Sequence, residues 1–431
     1  MNVEREEAMA RTVDGYAVTD KINEVILDGF SPRFGLLRES FAENAAWRRL
    51  HEVGTALWLD TGSIEDATAL WTREFDALTT NNTLLNREVQ TGAYDSLIVE
   101  VDRLLSSEGL DARGRILEIA FVLNARHGLK LVEKFDAMVS VELHTDLAGD
   151  VERTVATARR YYAICPERFI IKVPLTAAGL LATRALSDEG IPVNHTLGFS
   201  ARQNYVVARV GRPAYLNVFM GRLNSFVADN HLGDGTYVGE QATLASQATV
   251  RALCAAGRTC SRQIGASFRN GGQVLDLAGM DVMTMPPKVA ADFLERVEKG
   301  GEIADRTGAD YRPPLADGVD PSAVRLDTLW DIEPELVACL DALEAEDLGR
   351  FSPTDLTAFL ARHQCGDLLI DWSDAQVATS AREGKIPSLD HWRDALAAKT
   401  IGLDSLMNLA GLNAFRADQR AMDDRIAGML T

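Results

Sequence analysis

Lysine is scarce in this chain, with eight residues in all, and only Lys172 sits inside a strongly apolar run, RFIIKVPL. Burying an ammonium there costs on the order of several kcal/mol unless it is paired or its pKa falls so that it is neutral. A neutral amine in a dry pocket is what Schiff-base chemistry needs, because only the free amine attacks a carbonyl. The plainer alternative is a strand-end lysine whose stem packs while its head reaches solvent. Its neighbours in the sequence pattern favour the first reading. Asp60 closes ALWLD, Asn81 follows FDALTT, Glu142 closes VSVE, and Asn194 and Thr196 sit on VNHT. One such residue would ordinarily be a cap or a turn. Together with a buried lysine they make a site.

For these groups to meet, the runs that carry them must be neighbouring strands. Eight β-rich runs (ALWLD, FDALTT, AMVSVEL, RFIIKVPL, IPVNHTLGF, AYLNVFM, RQIGASF and DVMTM) alternate with amphipathic stretches such as DVERTVATARRYYAIC and AAGLLATRALSDEG. That alternation predicts an α/β chain with a (β/α)8 barrel over residues 53–310, in which alternate residues point inward and functional groups gather at the C-terminal strand ends. On this pattern Asn194 and Thr196 share one face, and His195 faces the surrounding helices. The long gap between the second and third strands is expected to hold two helices, YDSLIVEVDRLL and ARGRILEIAFVLNARHG. Residues 1–52 read as an N-terminal helical segment. Residues 311–431, entered through YRPPLADGVDPS, read as a mostly helical C-terminal extension packed on the barrel.

The chain has 431 residues, 46% of them hydrophobic, and carries a formal charge of −19. The acidity argues against nonspecific binding to nucleic acid or anionic membranes, and it requires any anion site to be locally basic. No apolar stretch reaches the roughly 18 residues of a membrane span, and MNVEREEAMARTVDGYAV lacks the apolar segment of a signal peptide. Five scattered cysteines fit neither a disulfide scaffold nor zinc-ligand spacing. A cytoplasmic protein without a metal is expected. The acidic clusters Glu4–Glu7 and Asp341–Asp347 read as solvated helix faces.

The segments WLDTGS, LTTNNTLL, VSVEL, FIIKVPLTAAG, VNHTLGFS, VFMGRL and ASFRNGGQVLDLAGMDVMTM, in this order, resemble the transaldolase family of Schiff-base-forming aldol-transfer enzymes. The closing NAFRADQRAMDDRIAGML resembles the family's terminal helix. The resemblance implies a (β/α)8 barrel, no cofactor, sugar-phosphate substrates and transfer of a dihydroxyacetone unit from a ketose phosphate to an aldose phosphate. It puts the Schiff-base lysine on the fourth strand, at Lys172. It makes Asp60 the general base and Glu142 a proton carrier through a water that Thr196 helps to hold. Asn81 and Asn194 would bind donor hydroxyls, and Arg222 and Arg269 the phosphate. The Lys172 cation is expected to favour ionisation of both carboxylates. Phe219 stands where the related fructose-6-phosphate aldolases carry tyrosine, which favours transfer over free aldol cleavage; an aldolase-like enzyme, or a transaldolase specialised for another sugar, is the alternative. Family members are often dimeric, so a homodimer is one expected assembly; the C-terminal extension would otherwise cover that surface.

Three positions depart from the family pattern. Asn82 replaces a proline and is expected to loosen the turn beside Asn81. Asn217 stands where a serine assists phosphate binding, and an amide there still donates a hydrogen bond, so a retuned phosphate site is expected. His144 replaces an aspartate; same-face spacing would bring it to the pocket rim, and the simpler expectation is a loop histidine in solvent.

Overall fold

The computed structural model describes residues 20–430. Eight parallel strands close in sequence order into a barrel: β1 Ala56–Asp60, β2 Phe75–Thr79, β3 Met138–Glu142, β4 Phe169–Pro174, β5 Val193–Thr196, β6 Tyr215–Phe219, β7 Arg262–Ala266 and β8 Val282–Met285. All eight lie within the β-rich runs read from sequence, and β8 returns to pair with β1, so no edge is left open.

Side-chain parity determines what the barrel encloses. Trp58, Ala77, Ile170, Ile264 and Val282 form a separate apolar cluster, which plugs the lower interior. Two residues further along the same strands, and so about 7 Å higher, stand Asp60, Thr79, Lys172, Ala266 and Thr284. The residues between them, such as Leu59, Leu78 and Ile171, belong to the main core formed with the helices. Each inward face therefore runs from apolar to mostly polar toward its C-terminal end, where (β/α)8 barrels carry their sites.

The helices used below are α1 Ala45–Glu52, α2 Ile64–Leu70, α3 Asn82–Gln90, α4 Asp95–Leu105, α5 Ala112–Phe135, α6 Val151–Ile164, α7 Ala177–Asp188, α8 Ala201–Val206, α9 Met220–Asp229, α10 Val238–Ala255, α11 Gly271–Asp276, α12 Pro287–Glu298, α13 Pro334–Leu343, α14 Pro353–Arg362, α15 Asp374–Glu383, α16 Leu389–Ala397 and α17 Leu403–Ala427. Residues 20–27 are also helical; the remainder of the N-terminal segment expected to be helical, residues 1–19 with Glu4–Glu7, lies outside the described residues. The β2–β3 connection holds three helices (α3, α4 and α5) where two were expected, because the Asn81 side chain accepts the Leu84 N–H at 2.9 Å and so starts α3 immediately after β2.

Beyond residue 310 the chain stays on the barrel. Tyr311 stacks on Tyr237 with ring centroids 4.6 Å apart. α13 and α14 share an apolar cluster with α7 and α8 through Leu340, Leu356, Leu180 and Val206. The Asp341–Asp347 cluster is not simply a solvated face: Asp341 and Glu344 each lie 2.8 Å from the buried Arg209 guanidinium, which needs counter-charge.

The 25-residue α17 is about 37 Å long at 1.5 Å per residue. At its start the fully buried Asp404 accepts from Arg202 Nη2 at 2.7 Å and Ser200 Oγ at 2.7 Å. Near its end Asp423 takes Arg113 Nη1 at 2.7 Å and lies 3.2 Å from His144 Nε2, and Arg425 reaches Asp95 at 2.6 Å. The helix is thus pinned at both ends, with its middle against the barrel mouth.

Candidate active site

A cavity of about 310 Å³ opens at the C-terminal end of the strands, with Lys172 among its lining residues. Lys172 is 4% exposed. Its Nζ donates to the Thr80 carbonyl at 3.1 Å and lies 3.8 Å from Glu142 Oε1. Register explains the pairing, since Glu142 and Lys172 are direct partners across β3 and β4, and Lys172 and Asn194 across β4 and β5. Lys172 is thus a paired, buried lysine that lines the cavity.

Asp60 lines the same cavity. Its Oδ1 accepts from Thr79 Oγ1 at 2.9 Å, and Thr79 is itself 2.6 Å from Thr284 Oγ1. Glu142 sits behind Lys172, and its Oε2 accepts the backbone N–H of Asn82 at 2.9 Å. Burial pushes both carboxyls above their ordinary range, and the Lys172 cation opposes this only in part. The Lys172 cation favours ionisation of both, as expected, but desolvation is the larger effect for each.

Asn81, Asn194, Asn217, Phe219, Arg222 and Arg269 all line the cavity. Capping α3 occupies the Asn81 carbonyl oxygen, which leaves its amide nitrogen for a ligand. Asn194 Nδ2 donates to Ser140 Oγ at 3.0 Å. Asn217 Nδ2 donates to Thr196 Oγ1 at 3.1 Å, while its Oδ1 accepts the Gly198 N–H at 3.4 Å. Thr196 and Glu142 do not line the cavity; they lie behind Asn217 and Lys172 respectively.

Arg222 is held at the first turn of α9. The Phe219 ring stacks near its guanidinium at 5.3 Å and the Phe415 ring at 5.7 Å. Its Nη1 is buried without a hydrogen-bond partner among the described residues. Burial first, and then the neighbouring Arg269 cation, push Arg222 down to about 10. Gly221 makes the approach of the two arginines possible, because a Cβ there would stand 2.1 Å from the Ser267 carbonyl and 2.7 Å from Arg269 Nε. Five cations (Lys172, Arg87, Arg222, Arg269 and Lys385) line the cavity against two carboxylates, Asp60 and Asp66. The charge objection raised by the −19 balance is therefore answered locally.

Two of the departures look different in three dimensions. Asn82 does not loosen a turn: it is 1% exposed, opens α3, and uses an N–H that proline lacks to bind Glu142. His144 is not in solvent; its side chain is 9% exposed and pairs with Asp423 of α17. His195 packs outward as expected, with Nδ1 2.9 Å from Thr183 Oγ1 of α7, and burial drives it down to about 3.

Sequence reasoning missed three contributors. Phe415 of α17 places its ring 5.7 Å from Lys172 Nζ; the terminal helix carried a recognisable motif, but nothing in it singled out that ring. Arg87 follows Asn82 by five residues on α3 and carried no signal apart from its charge. Lys385 lay in a segment with no motif at all.

Comparison with known proteins agrees with this geometry. The family described as Transaldolase/Fructose-6-phosphate aldolase matches residues 57–352. A protein named Transaldolase from Trichormus variabilis is 30% identical over 251 residues, covering 56% of this chain and 74% of the relative. Similar proteins of the same name come from Xanthomonas euvesicatoria, 32% identical over 235 residues (52% of this chain, 70% of the relative), and Vibrio cholerae, 28% identical over 267 residues (60% and 83%). With a closed eight-stranded barrel, a lysine buried at its mouth, and a family match over more than half its length, the chain belongs to the transaldolase/fructose-6-phosphate aldolase family.

Proposed function

We propose that this protein moves a dihydroxyacetone unit from a ketose phosphate, sedoheptulose 7-phosphate or fructose 6-phosphate, to an aldose phosphate through a Schiff base on Lys172. The observation that carries the reading is the pairing, within one cavity, of a dry lysine and a buried arginine whose Nη1 lacks a partner. The first suits carbonyl chemistry, and the second calls for an anion.

In this reading the Lys172 amine attacks the ketose carbonyl to give a carbinolamine. Glu142, 3.8 Å from Nζ, supplies the proton with which the hydroxyl leaves as water, and Thr196 helps to hold that water. The resulting iminium is an electron sink. Asp60 takes the proton of the hydroxyl one carbon beyond the bond to be cleaved; that hydroxyl becomes an aldehyde, and the bonding pair passes into the enamine. When the acceptor aldose binds, the enamine carbon attacks its aldehyde and Asp60 returns the proton; water, giving a proton back to Glu142, then hydrolyses the new iminium and frees the ketose and the Lys172 amine. Asn81 and Asn194 bind the hydroxyls, and Arg222 and Arg269 the phosphate, in a phosphate site that Asn217 retunes. Phe219 brings no hydroxyl to position water against the enamine, which supports transfer over release of the three-carbon unit. A transaldolase specialised for another sugar is the second reading. It is favoured by the Asn217 amide, which is turned toward Thr196 and Asn194 (3.1 and 3.4 Å).

The test is trapping. Incubation with fructose 6-phosphate followed by borohydride should leave a three-carbon or whole-sugar adduct on Lys172, located by mass spectrometry, and Lys172→Ala should abolish it. Addition of erythrose 4-phosphate should then give sedoheptulose 7-phosphate. An adduct elsewhere, or none, refutes the mechanism; free dihydroxyacetone as the main product would replace transfer by aldol cleavage.

A further inference from the structure

Among the described residues, Lys385 is the one cavity-lining cation that comes from none of the barrel's own βα units. It lies in the turn between α15 and α16. Both flanks of that turn are fixed. On one side Glu383 Oε2 accepts the Trp392 indole N–H at 2.8 Å, and its Oε1 pairs with His391. On the other, Asn230 at the end of α9 donates to the Pro387 carbonyl at 3.0 Å and accepts the Leu389 N–H at 2.7 Å. Gly384 takes φ +81°, a left-handed value that lets the chain reverse between these clamps. Ile386 packs against the main core.

The turn is thus tied to α9, the helix whose first turn carries Arg222, and it presents an exposed lysine to the cavity that holds Arg222 and Arg269. Lys385 forms no ion pair with any described residue, although acidic side chains are abundant on this chain. Many of the other exposed basic residues are paired; Arg393, eight positions further along, pairs with Asp390 at 3.3 Å. A third cation on the wall of the cavity that holds the arginine pair adds to its positive potential, and the three together suit an anion that bears more than one charge.

We propose that Lys385 is a third anion-binding group, which completes the arginine pair around the phosphate monoester of a bound sugar and makes the C-terminal segment part of substrate recognition. The proposal rests on the reading of the cavity as a sugar-phosphate site. An exposed rim lysine acts through long-range attraction and through affinity, not through the bond-making steps. Lys385→Ala should therefore raise KM for fructose 6-phosphate about 3- to 10-fold with kcat nearly unchanged, and should flatten the salt dependence of kcat/KM. Lys385→Arg should restore both, and kinetics with unphosphorylated fructose should not change.

Two further measurements separate this proposal from the reading beneath it. Titration of the full-length protein with inorganic phosphate needs no turnover, and the dissociation constant should rise in Lys385→Ala by a similar factor. Borohydride trapping on Lys172 at saturating fructose 6-phosphate should survive in the variant. Unchanged phosphate affinity and KM in Lys385→Ala, or equal losses with phosphorylated and unphosphorylated sugars, overturn the role of Lys385 alone. A wild-type protein that neither binds phosphate nor forms the adduct overturns both.

Discussion

The backbone N–H of Asn82 donates to Glu142 Oε2 at 2.9 Å, and both residues are at most 3% exposed. Asn82 is the first residue of α3, where a helix does not need its N–H and where proline is otherwise well tolerated. The hydrogen bond lowers the Glu142 pKa against the stronger upward push of burial. Asn82→Pro should thus remove one donor while keeping the helix start, and Asn82→Ala should keep the donor. Because Glu142 acts as the proton donor, in Asn82→Pro the alkaline limb of the kcat/KM profile should move to higher pH, with a stability loss of roughly 1–3 kcal/mol for leaving a buried acceptor one donor short. Superimposable pH profiles for the two variants would show that the bond does not tune Glu142.

Asp60 makes a prediction about stability. Its folded-state pKa is raised, chiefly by burial, so its contribution is favourable below the unfolded pKa and is lost as pH rises through the folded value. Above the folded value the ionised group is a net burden on the fold. Asp60→Asn should abolish transfer yet raise Tm by a few degrees at pH 8, with the gain shrinking toward pH 4. A Tm difference that does not vary with pH across this range would contradict the burial argument.

Gly411 lies on the inner face of α17. A Cβ there would stand 2.9 Å from Leu197 Cδ2 and 3.2 Å from Arg222 Nη1. Alanine gains about 1 kcal/mol of helix propensity, but overpacking of this kind typically costs about 1–3 kcal/mol. Gly411→Ala should leave Tm the same or slightly lower, displace Arg222, and raise KM for phosphorylated sugars several-fold more than for unphosphorylated ones. Steady-state kinetics with the two substrate types checks it.

Asp404 is fully buried and neutralises Arg202 at the start of α17. Asp404→Asn leaves the buried Arg202 with only Asp367, 3.0 Å away and shared with Arg325, as counter-charge, at a cost of roughly 1–3 kcal/mol. Because the same helix carries Phe415 over Lys172, the variant should lose thermal stability and, at temperatures where it is still folded, transfer activity. Calorimetry and single-turnover trapping on Lys172 measure the two effects separately.

Strand positions, their inward and outward faces, and the gathering of Asp60, Asn81, Lys172 and Asn194 at one end were all readable from the sequence. Parity along a strand is a local property, and an apolar run that ends in a polar residue marks both its face and its exit. Arg222 and Arg269 were legible through motif resemblance. What could not be read is whatever depends on packing between distant segments. Phe415 meets Lys172 across 243 positions, and His144 meets Asp423 across 279; in a sequence window each is merely a helix or loop residue. Asn82 shows the limit most clearly. Its side chain drew attention as a missing proline, whereas its consequence is a backbone N–H whose partner lies on another strand. Short-range periodicity encodes the barrel and the groups that face its mouth, and so both could be read from residue order alone. How protonation is balanced between burial and the Lys172 charge, and which side chains of the C-terminal helices close over the cavity, follow from packing, because desolvation and long-range contacts exist only once the chain is folded.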